Sequence, residues 1–267
     1  MKQISILGCG WLGLPLAKSL LEKGFPVKGS TTSLEKISVL RNFGIQPFQI
    51  ELSEHEIKGS IDSFLENSEI LIIDIPPKSR NVSSENFVAK VQNLIPFIEK
   101  SSVGKVVFIS STSVYADDNS IITEATKPQP DTESGKQLVE AENLLQINTN
   151  FKTTVIRFGG LIGENRHPIK FLAGKKNLEN PEAKINLIHQ TDCIGIIEKV
   201  VFHIELDEVF NAVTPFHPTR KAYYTEKALE LNLPLPQFEE GKISVGKTVL
   251  SDKVETVLGY KFQNNAL

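Results

Sequence analysis

Gly8, Gly10 and Gly13 fall in the stretch GCGWLG, directly behind the apolar run ISIL and directly ahead of Leu16, Ala17, Leu20 and Leu21, which recur at helical spacing. At such a strand-to-helix junction the first glycine permits a tight turn and the second lets a ligand's phosphates approach the backbone. The third allows the helix to pack closely on the strand. Unpaired N–H groups and the positive end of the helix dipole favour an anion at that point. The chemistry implied is the cradling of a pyrophosphate by Gly8, Gly10, Trp11, Leu12 and Gly13, and the ligand implied is a dinucleotide.

A second group of polar residues stands where the adenosine end of such a ligand would lie. In dinucleotide-binding folds the second strand ends in an acid that binds the ribose hydroxyls. Here the matching stretch is GSTTS, with no Asp or Glu. An acid would repel a 2′-phosphate, whereas Ser30, Thr31 and Thr32 offer hydroxyl donors and Lys36 follows one helical turn on. The charge argument favours NADP over NAD.

These residues need strands and helices in alternation to hold them. Short β-rich runs (ISILG, PVKGSTTS, QPFQIE, EILIIDIP, KVVFISST, TTVIRFGGLIG) alternate with helical patterns, among them SLEKISVLRNFG, with Ser33 as its expected N-cap, and Phe87, Val91, Leu94, Ile98. That alternation predicts an α/β fold, a Rossmann-type doubly wound parallel sheet covered on both faces. After about residue 160 the pattern loosens into the Gly/Lys/Asn-rich GENRHPIKFLAGKKNLENPEA, then resumes in KINLIHQTDCIGIIEKVVFHI and EVFNAVTP. The expected organisation is a nucleotide-binding domain over 1–160 plus 185–212 and a small C-terminal substrate lobe over 161–184 plus 213–267.

Composition excludes several function classes. Twenty-nine Lys and Arg against 32 Asp and Glu give a net charge of −3, so no global field draws in nucleic acid or an anionic membrane. Cys9 and Cys193 make no CxxC spacing, so sulfur ligation of a metal is not expected and a reduced, cytoplasmic setting is the simplest reading. No apolar run approaches the ~18 residues of a membrane span.

Taken in order, GCGWLG, FISSTSVYAD, SGKQLVEAE, VIRFGGLIG and LIHQTDCIG resemble the extended and atypical short-chain dehydrogenase/reductases. The likeness is strongest to small bacterial proteins of the NAD(P)-dependent epimerase/dehydratase group that share a GWLG loop and an SSTSVY segment. It runs from residue 1 to about 213.

The resemblance implies an oxidoreductase or epimerase-like enzyme acting on a small carbonyl or hydroxyl compound, with a serine that orients the substrate oxygen. A tyrosine acts as general acid and base, and a lysine four residues later binds the nicotinamide ribose and lowers the tyrosine's pKa. Ser111 takes the serine role, and Lys136, four residues ahead of Glu140, takes the lysine role. The tyrosine position then falls on Thr132, whose hydroxyl is far too weak an acid to replace it.

Three readings stay open. Lys136 holds the ribose while Tyr115, ahead of Tyr223 or Tyr224, supplies the proton; or the chain is a non-catalytic NADP(H) sensor; or Lys136 is merely solvated and Tyr115 packs a loop. Ser113, Arg166 and His167 are candidate substrate contacts, Asp74 is a candidate ribose contact or loop cap, and Asp192 is expected to cap the following helix. Ile185 stands where nucleotide-sugar epimerases carry a diphosphate-binding arginine, which disfavours a nucleotide sugar.

Overall fold

The computed structural model describes residues 2–77, 86–203 and 205–264. The chain begins with β1 (Gln3–Leu7), α1 (Gly13–Glu22), β2 (Val27–Thr31), α2 (Lys36–Asn42) and β3 (Gln46–Gln49). A minor antiparallel pair, β4 (Glu51–Leu52) and β5 (Ile57–Lys58), leads into α3 (Ile61–Leu65), β6 (Ser68–Ile73), α4 (Phe87–Lys100) and β7 (Lys105–Ser111). Next come β8 (Ile121–Ile122), α5 (Glu133–Gln146), β9 (Lys152–Phe158), β10 (Gly160–Ile162) and α6 (Ile169–Leu172). The chain continues through β11 (Leu187–His189), α7 (Gln190–Phe202), β12 (Val209–Ala212), α8 (Arg220–Glu230), β13 (Thr248–Val249) and α9 (Asp252–Leu258).

Seven of these strands, in the order β3-β2-β1-β6-β7-β9-β12, form one parallel sheet among the described residues. Side chains of a strand alternate between faces. In β6, Ile70 and Ile72 accordingly enter the core under α1 and α7, while Leu71 and Ile73 enter the core under α4 and α5. Both faces are covered, which is why ILII is apolar throughout rather than alternating. The α1 stripe of Leu16, Ala17 and Leu20 lies fully buried against the first of these faces.

A smaller core unites Ile162, Ile169, Ile185 and Leu187 with Tyr223, Tyr224 and Ala228. The expected grouping of 213–267 into that lobe differs from the fold. Val254, Leu258 and Tyr260 are buried in the large core, and β13 pairs with β8. Asp192 is the reason. Instead of capping α7, which His189 does by accepting from the Thr191 N–H, its buried carboxylate accepts from the Tyr260 hydroxyl at 2.7 Å and the Gln263 N–H at 2.7 Å. The tail is thereby held to the main domain. Ser33 also does not cap α2, which starts at Lys36 without a side-chain cap.

Candidate functional site

The sheet's order reverses between β1 and β6, and at such a switch point the carboxyl ends of the strands leave a crevice. Leu7 pairs with Ile73, and the Asp74 N–H donates to the Leu7 carbonyl at 2.9 Å, so the glycine loop and Asp74 leave the sheet side by side. Gly8 has φ +110°, and a Cβ there would lie 2.3 Å from the Asp74 carbonyl oxygen. A Cβ on Gly13 would lie 2.2 Å from the Gly8 carbonyl oxygen, which closes the α1 start against the loop. Gly10 is different: it is exposed, and its missing Cβ points into open space.

Two clefts meet over this loop. The first, about 240 Å³, is bounded by Gly8 to Gly10, by Ser30, Thr31, Thr32 and Lys36 at the end of β2, and by Ile50 to Leu52 after β3. The second, about 460 Å³, is bounded by Trp11 and Leu12, by Ile109 to Ser111 at the end of β7, by Leu138, and by Phe158 to Leu161 and Arg166. Gly10, Asp74, Ile75 and Pro76 belong to both. The two clefts thus share a wall at the start of α1.

The polar residues of the first cleft divide their work. Ser30 builds the loop: its hydroxyl accepts from the Gly8 N–H at 2.9 Å and its carbonyl from the Cys9 N–H at 2.8 Å. Thr31 accepts from the Ser33 N–H at 3.2 Å. Thr32 and Lys36 are exposed on the cleft wall and available to a ligand. Burial pushes the Cys9 thiol up to about 12, the Asp74 charge adding to the effect, so it stays neutral.

Asp74 is the one carboxylate on the second cleft among the described residues. Burial pushes it up to about 7, against the opposing pull of the Gly13 N–H and the Arg166 charge. A carboxyl in that range exchanges protons readily at neutral pH.

Ser111 lines the second cleft, and its oxygen accepts from the Ser113 N–H at 3.1 Å; among the described residues its O–H has no acceptor and can donate to a ligand. Tyr115 is not in the cleft. Its ring is 2 % exposed, its hydroxyl donates to Asn211 Oδ1 at 2.9 Å, and it accepts from Arg157 Nη1 at 2.6 Å. Burial raises its pKa, outweighing the Arg157 charge. The expected proton donor is a buried structural phenol. Tyr223 and Tyr224 are likewise buried, in the small lobe.

Lys136 is also displaced from its expected place. It is exposed, and α5 turns Gly135, Leu138, Ala141, Glu142 and Leu145 inward. Two residues on a helix differ by ~200° in direction, so Lys136 points away from the cleft that Leu138 lines. The spacing that pointed to Lys136 ends at Glu140, which is exposed, whereas the buried glutamate is Glu142. Counting back from Glu142 puts Leu138 in the lysine position and Ser134 in the tyrosine position. Thr132 is the N-cap of α5, accepting from the Gly135 N–H at 3.1 Å.

Of the three candidate substrate contacts, Arg166 lines the second cleft. Ser113 does not border it, and His167 turns into the small lobe, its Nε2 2.9 Å from the Tyr223 hydroxyl. Sequence reasoning missed Glu51 and Leu52, Leu138, and Gln190, whose Nε2 donates to the Trp11 carbonyl at 2.6 Å. A signal existed for the first pair, just past the end of β3, where ligands of open α/β sheets lie. Leu138 was visible as part of the apolar stripe of α5.

Fold and cleft together define a Rossmann-type α/β protein with a glycine-loop groove at its topological switch point. The chain is 32 % identical over 265 residues to Protein YeeZ of Escherichia coli K12, covering 98 % of this chain and 96 % of that protein, and it belongs to the YeeZ family. No family model matches it.

Among solved structures, a functionally unknown conserved protein from Silicibacter pomeroyi has a TM-score of 0.80 at 22 % identity, covering 98 % of this chain and 94 % of that one. MoeE5 in complex with UDP-glucose and NAD has a TM-score of 0.79 at 17 % identity, covering 98 % and 93 %. Other structures of this fold include a UDP-N-acetylglucosamine 4-epimerase and a short-chain dehydrogenase/reductase superfamily protein.

Proposed function

We propose that the chain binds a nicotinamide dinucleotide along the two joined clefts, NADP(H) in preference to NAD(H), and uses it in redox chemistry on a small carbonyl or hydroxyl compound. The observation that carries this reading is the meeting of the two clefts at Gly10 and Asp74, with an exposed glycine whose missing side chain leaves room for phosphates. The adenosine end would lie by Glu51 and Leu52, with Thr32 and Lys36 at the 2′-phosphate. The bound nicotinamide would supply or accept hydride beside Ser111, as NAD occupies MoeE5 on the same fold.

Ser111 orients the substrate oxygen through its free O–H, and Asp74 exchanges the proton in place of a tyrosine. Ile185 packs in the small-lobe core and offers no donor to a diphosphate, so the substrate is small rather than a nucleotide sugar. A second reading is favoured by Leu138, an apolar side chain facing the cleft where a catalytic lysine would stand: binding without turnover, reporting the redox state of the cofactor pool.

Energy transfer from Trp11, the only tryptophan, to a bound reduced nicotinamide tests the proposal. NADPH is expected to bind at least tenfold tighter than NADH, with Lys36→Ala removing most of the difference. Absence of binding by either nucleotide sinks the reading. Turnover of carbonyl compounds that is lost in Ser111→Ala separates the enzyme from the sensor.

A further inference from the structure

Arg166 stands exposed at the second cleft, beside the glycine loop. Its backbone is locked to Gly163 by two reciprocal N–H to carbonyl bonds of 2.9 Å. Gly163 in turn lies against Trp11, so closely that a Cβ there would come within 2.9 Å of the indole Cζ2. The Trp11 carbonyl is held by Gln190 at 2.6 Å, and the Arg166 guanidinium lies over the indole at 4.9 Å. The turn sets the Arg166 backbone and the glutamine holds Trp11, whose ring then places the guanidinium at the edge of the second cleft.

The guanidinium itself makes no hydrogen bond or ion pair among the described residues, although its charge acts on Asp74. An arginine presents five N–H donors in a planar fork suited to carboxylate and phosphate, and stacking on an aromatic face leaves the edge of that fork open. The rest of the lining, Ser111, Gly159 and Gly160 included, offers no basic side chain, so Arg166 is the one cation lining this cleft among the described residues.

Resting on the reading of the groove as a nicotinamide site, we infer that Arg166, stacked on Trp11, is an anion clamp that selects small substrates carrying a carboxylate or phosphate beside the reacting oxygen. The clamp holds the acidic group at the rim while Ser111 takes the carbonyl or hydroxyl deeper in the cleft. At about 460 Å³ the cleft falls toward the lower part of the range for small-molecule sites, consistent with a compact acid next to a nicotinamide ring.

The test is calorimetric titration of the protein, with and without saturating NADPH, using oxamate, its neutral counterpart oxamide, and inorganic phosphate. Oxamate or phosphate is expected to bind at least tenfold tighter than oxamide, and Arg166→Gln to abolish that preference while Arg166→Lys keeps part of it. The stronger of the two anions assigns the acidic group. Equal binding of oxamate, phosphate and oxamide overturns the clamp, as does an unchanged preference in Arg166→Gln. A tenfold loss of NADPH affinity in Arg166→Gln with anion preference intact also overturns it, by moving Arg166 to the cofactor. If NADPH does not bind at all, the redox reading fails, and the titration without nucleotide still measures the clamp.

Discussion

Arg157 on β9 grips Glu142 on α5 through three contacts, Nε to Oε1 at 3.1 Å, Nε to Oε2 at 3.2 Å and Nη2 to Oε2 at 2.5 Å, with both side chains almost wholly buried. Glu142 also accepts from the Ser110 hydroxyl at 2.5 Å, and the remaining edge of Arg157 holds the Tyr115 hydroxyl. One network therefore joins β7, α5, β9 and, through Asn211, β12. Breaking a buried pair by removing one partner costs about 3–5 kcal/mol, because the other charge is stranded. Glu142→Gln should lower stability by an amount in that range in denaturant unfolding.

Tyr115→Phe separates a structural phenol from a catalytic one. Removing the hydroxyl leaves Arg157 Nη1 and Asn211 Oδ1 short of a partner, at a cost of about 1–3 kcal/mol. NADPH affinity should stay within twofold of the parent by Trp11 energy transfer. Loss of affinity with unchanged stability would return Tyr115 to the site.

Lys136→Ala should leave both melting temperature and dinucleotide affinity nearly unchanged, since an exposed side chain away from special features contributes within about 0.5 kcal/mol. Leu138→Ala is the contrasting variant. It removes a buried side chain that also walls the second cleft, and should cost about 2–5 kcal/mol of stability. A large affinity loss in Lys136→Ala would contradict the helix phase described above.

Two alanine substitutions in the glycine loop should behave oppositely. Gly13→Ala drives a methyl into the Gly8 carbonyl and Asp74, so the protein itself should be destabilised. Gly10→Ala meets no protein atom within 4 Å and should leave the melting curve in place. Its methyl occupies the space proposed for the pyrophosphate, and NADPH affinity should fall at least tenfold. Unchanged affinity would remove the ligand from that position.

Asp74 makes stability depend on pH. Its folded-state value of about 7 exceeds the ordinary 3.8, so the native state holds this proton more tightly than the unfolded chain does. The stability associated with the neutral carboxyl is complete below about pH 4 and is lost as pH rises towards 7. The groups facing it are the Gly13 N–H, the Arg166 charge and the thiols of Cys9 and Cys193, both pushed up by burial and neutral throughout this window. Asp74→Asn should remove this contribution and raise the melting temperature at pH 8 more than at pH 5. Parallel pH profiles for the two proteins would show that Asp74 titrates normally.

The elements that could be read in the sequence were those written in local periodicity. The apolar residues of ISIL and EILIID each enter one of two buried cores, and Gly8 and Gly13 of GCGWLG mark a strand-to-helix turn with no room for a Cβ. The glycine loop and the hydroxyl-rich strand end beside it were legible for the same reason, since Gly8, Gly10, Gly13, Thr32 and Lys36 lie within 30 residues of one another on two successive strand ends.

The second cleft was not, because its geometry depends on contacts between distant segments. Whether α5 presents Lys136 or Leu138 is set by the phase at which Glu142 meets Arg157, a buried pairing that spacing two residues off would imitate. Tyr115 reads as a free phenol until Asn211, 96 residues later, accepts its hydrogen bond. Asp192 reads as a helix cap until the tail returns to it.

By itself, then, the amino-acid order determined a doubly wound sheet and the glycine turn at its switch point, because strand and helix periods are local properties of the chain. Which side chains share that place was decided only by the tertiary structure. Burial and long-range pairing withdraw Tyr115, turn Lys136 to solvent, and bring Arg166 and Asp74 onto the same cleft.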